Sequence, residues 1–250
     1  MSKIEILAVL PIYHREEETL ACLDAFSRTS LEGINLTVVL AVNGARDTFL
    51  DTLKKMTSGD EVGIPKGAQV RLLNLPNPGK GVAVNTAVRL YADKTDFVLS
   101  LDSDMVPTSE NWLKIFVESF QELIANKIRV GAISSQQVGM CCHVPVSGEF
   151  RNYGKFSYTF ANGNQGIAGG CLLTPYAVWC ELGGYRKSPN VYGGNDGYYM
   201  YDLYQSGYIA AIAENCVLFH PPSTDAKYAD WKRRATIGKL REDERKGFYE

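Results

Sequence analysis

The run Phe97-Val98-Leu99-Ser100-Leu101-Asp102-Ser103-Asp104-Met105-Val106-Pro107 sets two aspartates one residue apart behind a short apolar stretch. The stretch has the length and composition of a buried strand. Side chains alternate along a strand, so Asp102 and Asp104 are expected on the same side. Two carboxylates about 6 Å apart, at an effective dielectric near 20, repel by roughly 3 kcal/mol. A divalent cation turns that repulsion into attraction. Hard cations such as Mg²⁺ are held by one or two carboxylates together with substrate phosphates. The pair therefore predicts a metal-bound, phosphorylated substrate at the end of this strand; the competing expectation is a solvated turn.

Five further groups of residues could do chemistry. In Asn77-Pro78-Gly79-Lys80-Gly81-Val82-Ala83-Val84-Asn85 a strand leads through glycines and a lysine into a helix. Glycines let the backbone approach a ligand, and a helix start offers free N–H groups to an anion. The spacing is not that of a P-loop, and a tight turn with an exposed lysine is the other reading. Gly166-Ile167-Ala168-Gly169-Gly170-Cys171 either lets a sugar or phosphate lie against the backbone or makes a bend. In Tyr192-Gly193-Gly194-Asn195-Asp196 a carboxylate falls at a helix start, where the dipole favours its ionised form. That suits a general base; simple capping by Asn195 or Asp196 explains the same pattern. His220 closes an apolar strand before Pro221-Pro222, as a structural residue or a metal ligand. Lys227-Tyr228-Ala229-Asp230-Trp231-Lys232-Arg233-Arg234 reads as a lid in which Trp231, Lys232 and Arg233 close over a pyrophosphate, as a patch for an acidic partner, or as a solvated helix.

These groups need elements to position them. Strands are expected at Ile4–Leu10, Leu36–Val42, Val70–Leu75 and Phe97–Leu101, with amphipathic helical patterns between them. Such alternation predicts a mostly parallel central sheet with helices on both faces. Ligands of such sheets bind at the carboxyl ends of the strands. Tyr13, Asn43, Asn77 and Asp102 all lie just past strand ends and so share one expected crevice. A helix is expected over Ser109–Asn126 and a strand over Val130–Ser134. Gly148–Gly170 reads as a long loop or irregular hairpin. Helices follow at Pro175–Leu182 and Asp196–Ser206, short strands at Ile209–Ala213 and Cys216–Phe219, and a helix or lid from about Ala226. The aromatic stretch Phe150–Phe160 is read as facing the acceptor or as a small satellite core.

The 250 residues, 45% hydrophobic and 22% charged with a net charge of −2, suit a globular domain and argue against wholesale coating of nucleic acid. From Lys227 to Lys246, however, eight basic and four acidic residues leave a local charge of +4. No signal peptide is visible, and no apolar stretch approaches the ~20 residues of a membrane helix. The six cysteines lack CxxC spacing and read as core filling in a reducing cytosol, so a cytoplasmic location is expected. Three histidines exclude a histidine-rich metal site.

Taken in order, these motifs resemble the GT-A glycosyltransferases of the family 2 type. The resemblance covers roughly Leu7 to His220. It rests on Leu10-Pro11-Ile12-Tyr13 followed by Arg15-Glu16, on Val42-Asn43-Gly44, on Gly79-Lys80-Gly81 with Asn85, on Asp102-Ser103-Asp104, on Gly169-Gly170, and on Asn195-Asp196 and His220. It implies a GT-A catalytic domain spanning 1–250, with a nucleotide-binding half (1–105), an acceptor and catalytic half (106–222) and a basic C-terminal helix or lid (223–250). It implies a nucleotide-sugar donor (UDP-, GDP- or dTDP-sugar) and Mn²⁺ or Mg²⁺. Pro11, Ile12, Tyr13 and Glu16 would border the nucleoside and Asn43 the base edge. Lys80, Asn85, Asp102, Ser103, Gly169 and Gly170 would bind the rest of the donor. Asp102, Asp104 and His220 would form the metal site, and Asp196 would deprotonate the acceptor hydroxyl.

Two departures from the family pattern stand out. Val42-Asn43 replaces a common acidic pair, and an amide presents a different hydrogen-bond pattern to a base. Asn195 stands where Glu is frequent. The Gln-x-x-Arg-Trp motif of processive synthases is absent, which implies single transfer. The acceptor class is open: glycan, small molecule, protein or nucleic-acid base. Two other functions compete. One is a nucleotidyltransferase that makes nucleotide sugars, although Pro11-Ile12-Tyr13-His14-Arg15 lacks its glycine-rich loop. The other is a non-catalytic nucleotide- or nucleic-acid-binding module.

Overall fold

The computed structural model describes residues 3–58, 63–76, 79–139, 148–161, 166–187, 195–222 and 226–236. Expectations that fall on Asn77-Pro78, Cys141-Cys142, His143, Tyr192-Gly193-Gly194 and the tail beyond 236 lie outside these residues.

The N-terminal half alternates strand and helix as the hydrophobic pattern requires. The elements are β1 (Ile4–Ile12), α1 (Glu16–Ser27), β2 (Ile34–Val42), α2 (Asp47–Ser58), β3 (Gln69–Asn74), α3 (Lys80–Tyr91) and β4 (Phe97–Leu101). A two-residue strand, β5 (Val106–Pro107), precedes α4 (Trp112–Ala125) and β6 (Val130–Val138). The chain continues through β7 (Gly148–Tyr153), β8 (Phe156–Ala161), β9 (Cys171–Pro175), α5 (Tyr176–Leu182), α6 (Asn195–Gln205), β10 (Ile209–Phe219) and α7 (Ala226–Thr236).

All strands join one sheet in the order β3-β2-β1-β4-β9-β6-β10-β8-β7, with β5 on β10. The four strands β3-β2-β1-β4 are parallel, as expected. Past β4 the sheet is mixed: β9 runs antiparallel to both β4 and β6, while β6 and β10 are parallel. The reason is connectivity. The described residues just before β9, 166–170, hold no crossover helix, and without one no rule obliges the strand to run parallel.

Strand alternation sorts the core into two layers. Ile6, Ala8, Leu10 and Ile12 of β1 face Leu23 and Phe26 of α1, Phe49 and Leu53 of α2, and the Trp112, Phe116 and Phe120 face of α4. Leu7 and Val9 face the other way, toward Ala83, Val84 and Ala87 of α3 and toward Trp179, Tyr199 and Met200 of α5 and α6. A fully buried Leu or Phe among these contributes roughly 2 kcal/mol relative to exposure.

Three segments differ from the sequence expectation. The stretch after Gly148 is a regular antiparallel hairpin, β7–β8, closed by Gly154-Lys155. Phe156, Tyr158 and Phe160 are buried there, with the Tyr158 hydroxyl donating to the Ser119 carbonyl at 2.8 Å, so these rings form core and only Phe150 is well exposed. The two short strands after Ile209 are one strand with a register shift between Ala213 and Val217. The bulge lets one strand serve β6 along one edge and β8 and β5 along the other without a break. Finally, β4 ends at Leu101, and Asp102 to Asp104 form a turn in which Met105 N–H donates to the Asp102 carbonyl at 3.0 Å. Strand alternation therefore does not govern where the two carboxylates point.

Candidate active site

The site lies at the carboxyl ends of β1, β2 and β4, where loops from both halves of the sheet meet. Its first part is a backbone device. After β1 the chain turns through His14 and Arg15, both left-handed at φ 54° and 53°. For residues other than glycine this costs of order 1 kcal/mol each, and such strain collects at functional sites. The turn starts α1, whose first turn carries Glu16, Glu17 and Glu18 at the helix's positive end. It also aims the Arg15 guanidinium across the sheet. Arg15 Nη1 donates to Asp104 Oδ2, while Nε and Nη2 both donate to Glu18 Oε1, at 3.1 and 2.9 Å.

Asp104 meets a second group from the far end of the fold. His220, just past β10, places Nε2 3.2 Å from the same Oδ2. Burial opposes ionisation of Asp104, but the His220 hydrogen bond and the charges of His220, Arg15 and Lys232 outweigh it and hold the carboxyl below its ordinary range. His220 Nδ1 is buried with no hydrogen-bond partner among the described residues.

The second centre is Lys80, at the first position of α3. Its ammonium contacts Asp102 Oδ1 at 2.7 Å, the Gly169 carbonyl at 2.9 Å and Asp196 Oδ1 at 3.2 Å. One cation thus gathers the end of β4, the loop before β9 and the start of α6. Burial pulls the Lys80 amine down, but Asp102 and Asp196 more than offset it and keep the ammonium charged well beyond the ordinary range. Burial is also the largest influence on Asp102; it outweighs Lys80 and pushes the carboxyl up to about 6, with the charges of Asp104 and Asp196 adding to the rise. At neutral pH the two directions agree on an ionised Asp102 beside a charged Lys80.

Gly169 is required for this approach. A Cβ there would lie 2.0 Å from Asp196 Cγ and 2.3 Å from Oδ2. Gly170 supports the same wall, because its carbonyl accepts the Asp102 N–H at 2.7 Å. Ser103 is buried under the turn and is joined to Thr19 at 3.2 Å.

The aromatic side of the cleft is built by Tyr13. Its ring lies against Gly44 (φ 139°), where an added Cβ would meet the ring carbons at 2.8 Å. Trp231 of α7 packs on it with ring centroids 5.2 Å apart, and is itself 2% exposed. Lys232 acts electrostatically on Asp104, whereas the exposed Arg233 pairs with Asp230 at 2.7 Å. Asn43 is buried at the end of β2 with Oδ1 unpartnered among the described residues. Glu16 is bound by Arg46 from the β2–α2 loop, Nε to Oε1 at 2.8 Å, which ties two loops together.

Some expected site residues do other work. Pro11 and Ile12 are buried, and the Ile12 side chain belongs to the core and not to an open surface. The Asn85 amide clamps a backbone: Nδ2 donates to the Tyr185 carbonyl at 2.7 Å and Oδ1 accepts the Tyr185 N–H at 3.0 Å. That clamp holds Tyr185, whose buried ring borders Lys80 and Asp196. Sequence reasoning missed Tyr185, and it missed Arg15 as a partner of Asp104. The Gly183-Gly184 pair before Tyr185, with both φ values near 70°, was the available sign of a tight approach.

The donor set fits a divalent ion in part. Among the described residues no three His, Cys, Asp or Glu side chains converge on one point. Asp104 and His220 do converge, with O and N 3.2 Å apart. Two ligands at right angles, each about 2.1 Å from an octahedral ion, stand about 3 Å apart. A two-ligand platform completed by substrate phosphates is a common arrangement for such ions. Asp102 is drawn to Lys80 and stands outside this pair.

Residues 7–129 match the family model for Glycosyl transferase family 2. No protein of curated function is detectably similar to the chain in sequence. Solved structures share its fold. One is the mannosyltransferase PcManGT from Pyrobaculum calidifontis in complex with GDP-Man and Mn²⁺, at TM-score 0.66 and 14% identity over 96% of this chain and 63% of that one. A second is GalNAc-T7 with UDP, GalNAc and Mn²⁺, at TM-score 0.64 and 12% identity over 89% of this chain and 44% of that one. A third is S. aureus TarS 1-349 in complex with UDP-GlcNAc, at TM-score 0.62 and 13% identity over 89% of this chain and 60% of that one. The chain thus spans 44% to 63% of the length of these structures. The N-terminal half of the chain thus matches the family 2 glycosyltransferase model, and most of its length shares the fold of these solved glycosyltransferases.

Proposed function

We propose that the protein transfers one sugar from a nucleoside-diphosphate sugar to an acceptor hydroxyl, with inversion, using Asp196 as base and a divalent ion at Asp104 and His220. The observation that carries this reading is the Lys80 ammonium. It brings Asp102 and Asp196 into one cleft at the carboxyl ends of the parallel strands, beside the Asp104–His220 pair. Donors in the solved relatives carry GDP and UDP, and two of those structures hold Mn²⁺.

The chain's own groups have separable tasks. Tyr13 and Trp231 offer ring faces, and Asn43 an amide, to the base. Lys80 and Arg15 are the cations that meet a diphosphate, since both point into the cleft from rigid positions. Asp102 and Ser103 border the ribose and diphosphate, and the Gly169-Gly170 backbone lets the sugar lie close. A divalent ion, when bound, neutralises negative charge on the leaving diphosphate. Asp196 accepts the acceptor's hydroxyl proton as that oxygen attacks the anomeric carbon and the C–O bond to the diphosphate breaks. Attack from the face opposite the leaving group gives inversion.

The whole chain acts as one catalytic unit in this reading, with α7 as the cover over the nucleoside. A cytoplasmic setting accords with Cys22, Cys171, Cys180 and Cys216, which are all unbridged. Among the described residues no helix is long and apolar enough to cross a membrane.

Calorimetric titration with UDP-, GDP- and dTDP-sugars, with and without Mn²⁺, tests the proposal. We expect binding of at least one donor that needs Mn²⁺ and is lost in Asp104→Ala. A donor that binds equally well to Asp104→Ala, or a panel in which none binds, defeats it.

A further inference from the structure

Strand β7 is the last in the sheet, and among the described residues no strand pairs with its outer side. Exposed edges are normally blunted by Pro, by charged side chains of which Lys is the commonest, by bulges or by a covering element, and the charges of β7, Glu149 and Arg151, are of opposite sign. The strand Gly148-Glu149-Phe150-Arg151-Asn152-Tyr153 has no Pro, no Lys and an unbroken register with β8. Phe150 at its centre is 60% exposed, the most exposed of the large hydrophobic residues described.

The hairpin geometry says which residues offer hydrogen bonds outward. Gly154-Lys155 is a two-residue connection with Gly154 at φ 53°, as the first position of a type II′ turn requires. Its closing pair, Tyr153 and Phe156, is then a hydrogen-bonded one. Pairs alternate from there. Glu149, Arg151 and Tyr153 therefore bond inward to β8, and Gly148, Phe150 and Asn152 present N–H and C=O to the outside.

We propose that the occupant of this edge is β7 of a second copy, running antiparallel about a two-fold axis at Phe150. In that register Phe150 faces Phe150 as a hydrogen-bonded pair, and Asn152 faces Gly148. Glu149 of each chain faces Arg151 of the other. The strand is charge-complementary to itself only in this register and direction, because the acid and the base flank the centre symmetrically. Within one chain Glu149 and Arg151 already lie on one face and form an ion pair, with side chains 59% and 47% exposed. A two-fold contact is isologous and closes at two copies, so the edge is capped and fibre growth is avoided. The inference concerns a surface distant in sequence from the catalytic residues and stands apart from the proposed activity.

Sedimentation equilibrium of the full chain across the micromolar range tests it, with charge-reversed variants. The wild type is expected to show a monomer–dimer equilibrium. Glu149→Arg alone, or Arg151→Glu alone, sets like charges opposite each other twice and is expected to weaken self-association about ten-fold or more. An equimolar mixture of the two single variants restores both attractive pairs and is expected to form mixed dimers. So is the chain that carries both reversals, with itself. These rescues separate lost pairing from lost folding. A Phe150→Cys chain, with its Cα atoms about 5.5 Å apart across the hydrogen-bonded pair, is expected to form an intermolecular disulfide on mild oxidation; Cys141→Ser, Cys142→Ser and Cys180→Ser in the same background remove competing native thiols, Cys180 being the exposed one among the described residues. A wild type that stays monomeric overturns the proposal. So does a dimer whose strength ignores these reversals.

Discussion

Removing the Lys80 charge is the sharpest test of how this site is held together. In Lys80→Met the volume is nearly kept and the ammonium is lost. At an effective dielectric near 20, unit charges at the observed separations of 2.7 Å and 3.2 Å attract by about 6 and 5 kcal/mol before any desolvation. Burying the ammonium and crowding two carboxylates offset most of that. Breaking one side of a buried pair typically costs about 3–5 kcal/mol. Here the Asp102 and Asp196 side chains keep 31% and 36% exposure, so water recovers part of the loss. We expect Lys80→Met to be destabilised by about 2 kcal/mol, read as a lower urea midpoint at unchanged slope at neutral pH. Asp102→Asn removes the nearest acid. The double variant should therefore be less destabilised than the sum of the singles, by about 1 kcal/mol. Titration with UDP or GDP in the presence of Mn²⁺ should show at least about a ten-fold loss of affinity in Lys80→Met. A midpoint within about 0.5 kcal/mol of wild type, with additive singles, would refute the view that Lys80 knits the three loops.

Three further outcomes follow from the geometry. Gly169→Ala pushes a methyl into the Asp196 carboxylate and must displace it by an ångström or more, so donor turnover should fall by roughly 100-fold while nucleotide affinity changes little; near-normal turnover would remove Asp196 from the reaction. His14 is 4% exposed and burial pushes its imidazole down from 6.5 to about 4, so the folded chain refuses a proton that the unfolded chain accepts. Stability is then unaffected above pH 6.5 and falls as the pH drops from 6.5 toward 4, by about 2 kcal/mol near pH 5; His14→Asn, which tolerates the left-handed backbone, should flatten that part of the pH–stability curve measured in urea. Arg15→Asn takes a competing cation off Asp104 without disturbing the turn. It should tighten Mn²⁺ binding in the absence of nucleotide by about ten-fold, as measured from the electron spin resonance of free Mn²⁺; unchanged affinity would mean that Arg15 and the ion do not compete.

The parallel half of the sheet was legible because its strands are short apolar runs separated by amphipathic helices, and each run is bounded by a turn residue. The region after Gly148 was less so. The aromatic residues of β8 fall at every second position and all face inward, but they follow a stretch rich in glycine and asparagine, where local preference is weak. The join between Ala213 and Val217 looked like a strand end because a bulge and a turn share the same polar residues, Glu214 and Asn215.

For the candidate site, residue type and order singled out Asp102, Asp104, Lys80, Gly169, Asp196 and His220 as candidates, and the fold gathers them at one end of the sheet. Who pairs with whom was not in the sequence. Arg15 and Asp104 are 89 residues apart, and His220 and Asp104 are 116 apart. Partnership at that range depends on which loops the sheet order brings to one edge, and on a left-handed turn at His14 and Arg15 that no local propensity favours. The sequence by itself determined the chemistry available and the layered fold, because hydrophobic period and residue type act locally. Tertiary structure alone decided that Lys80 binds Asp102 and Asp196, and that Asp104 is left to Arg15 and His220. Charges choose partners by distance, and distance is set by packing.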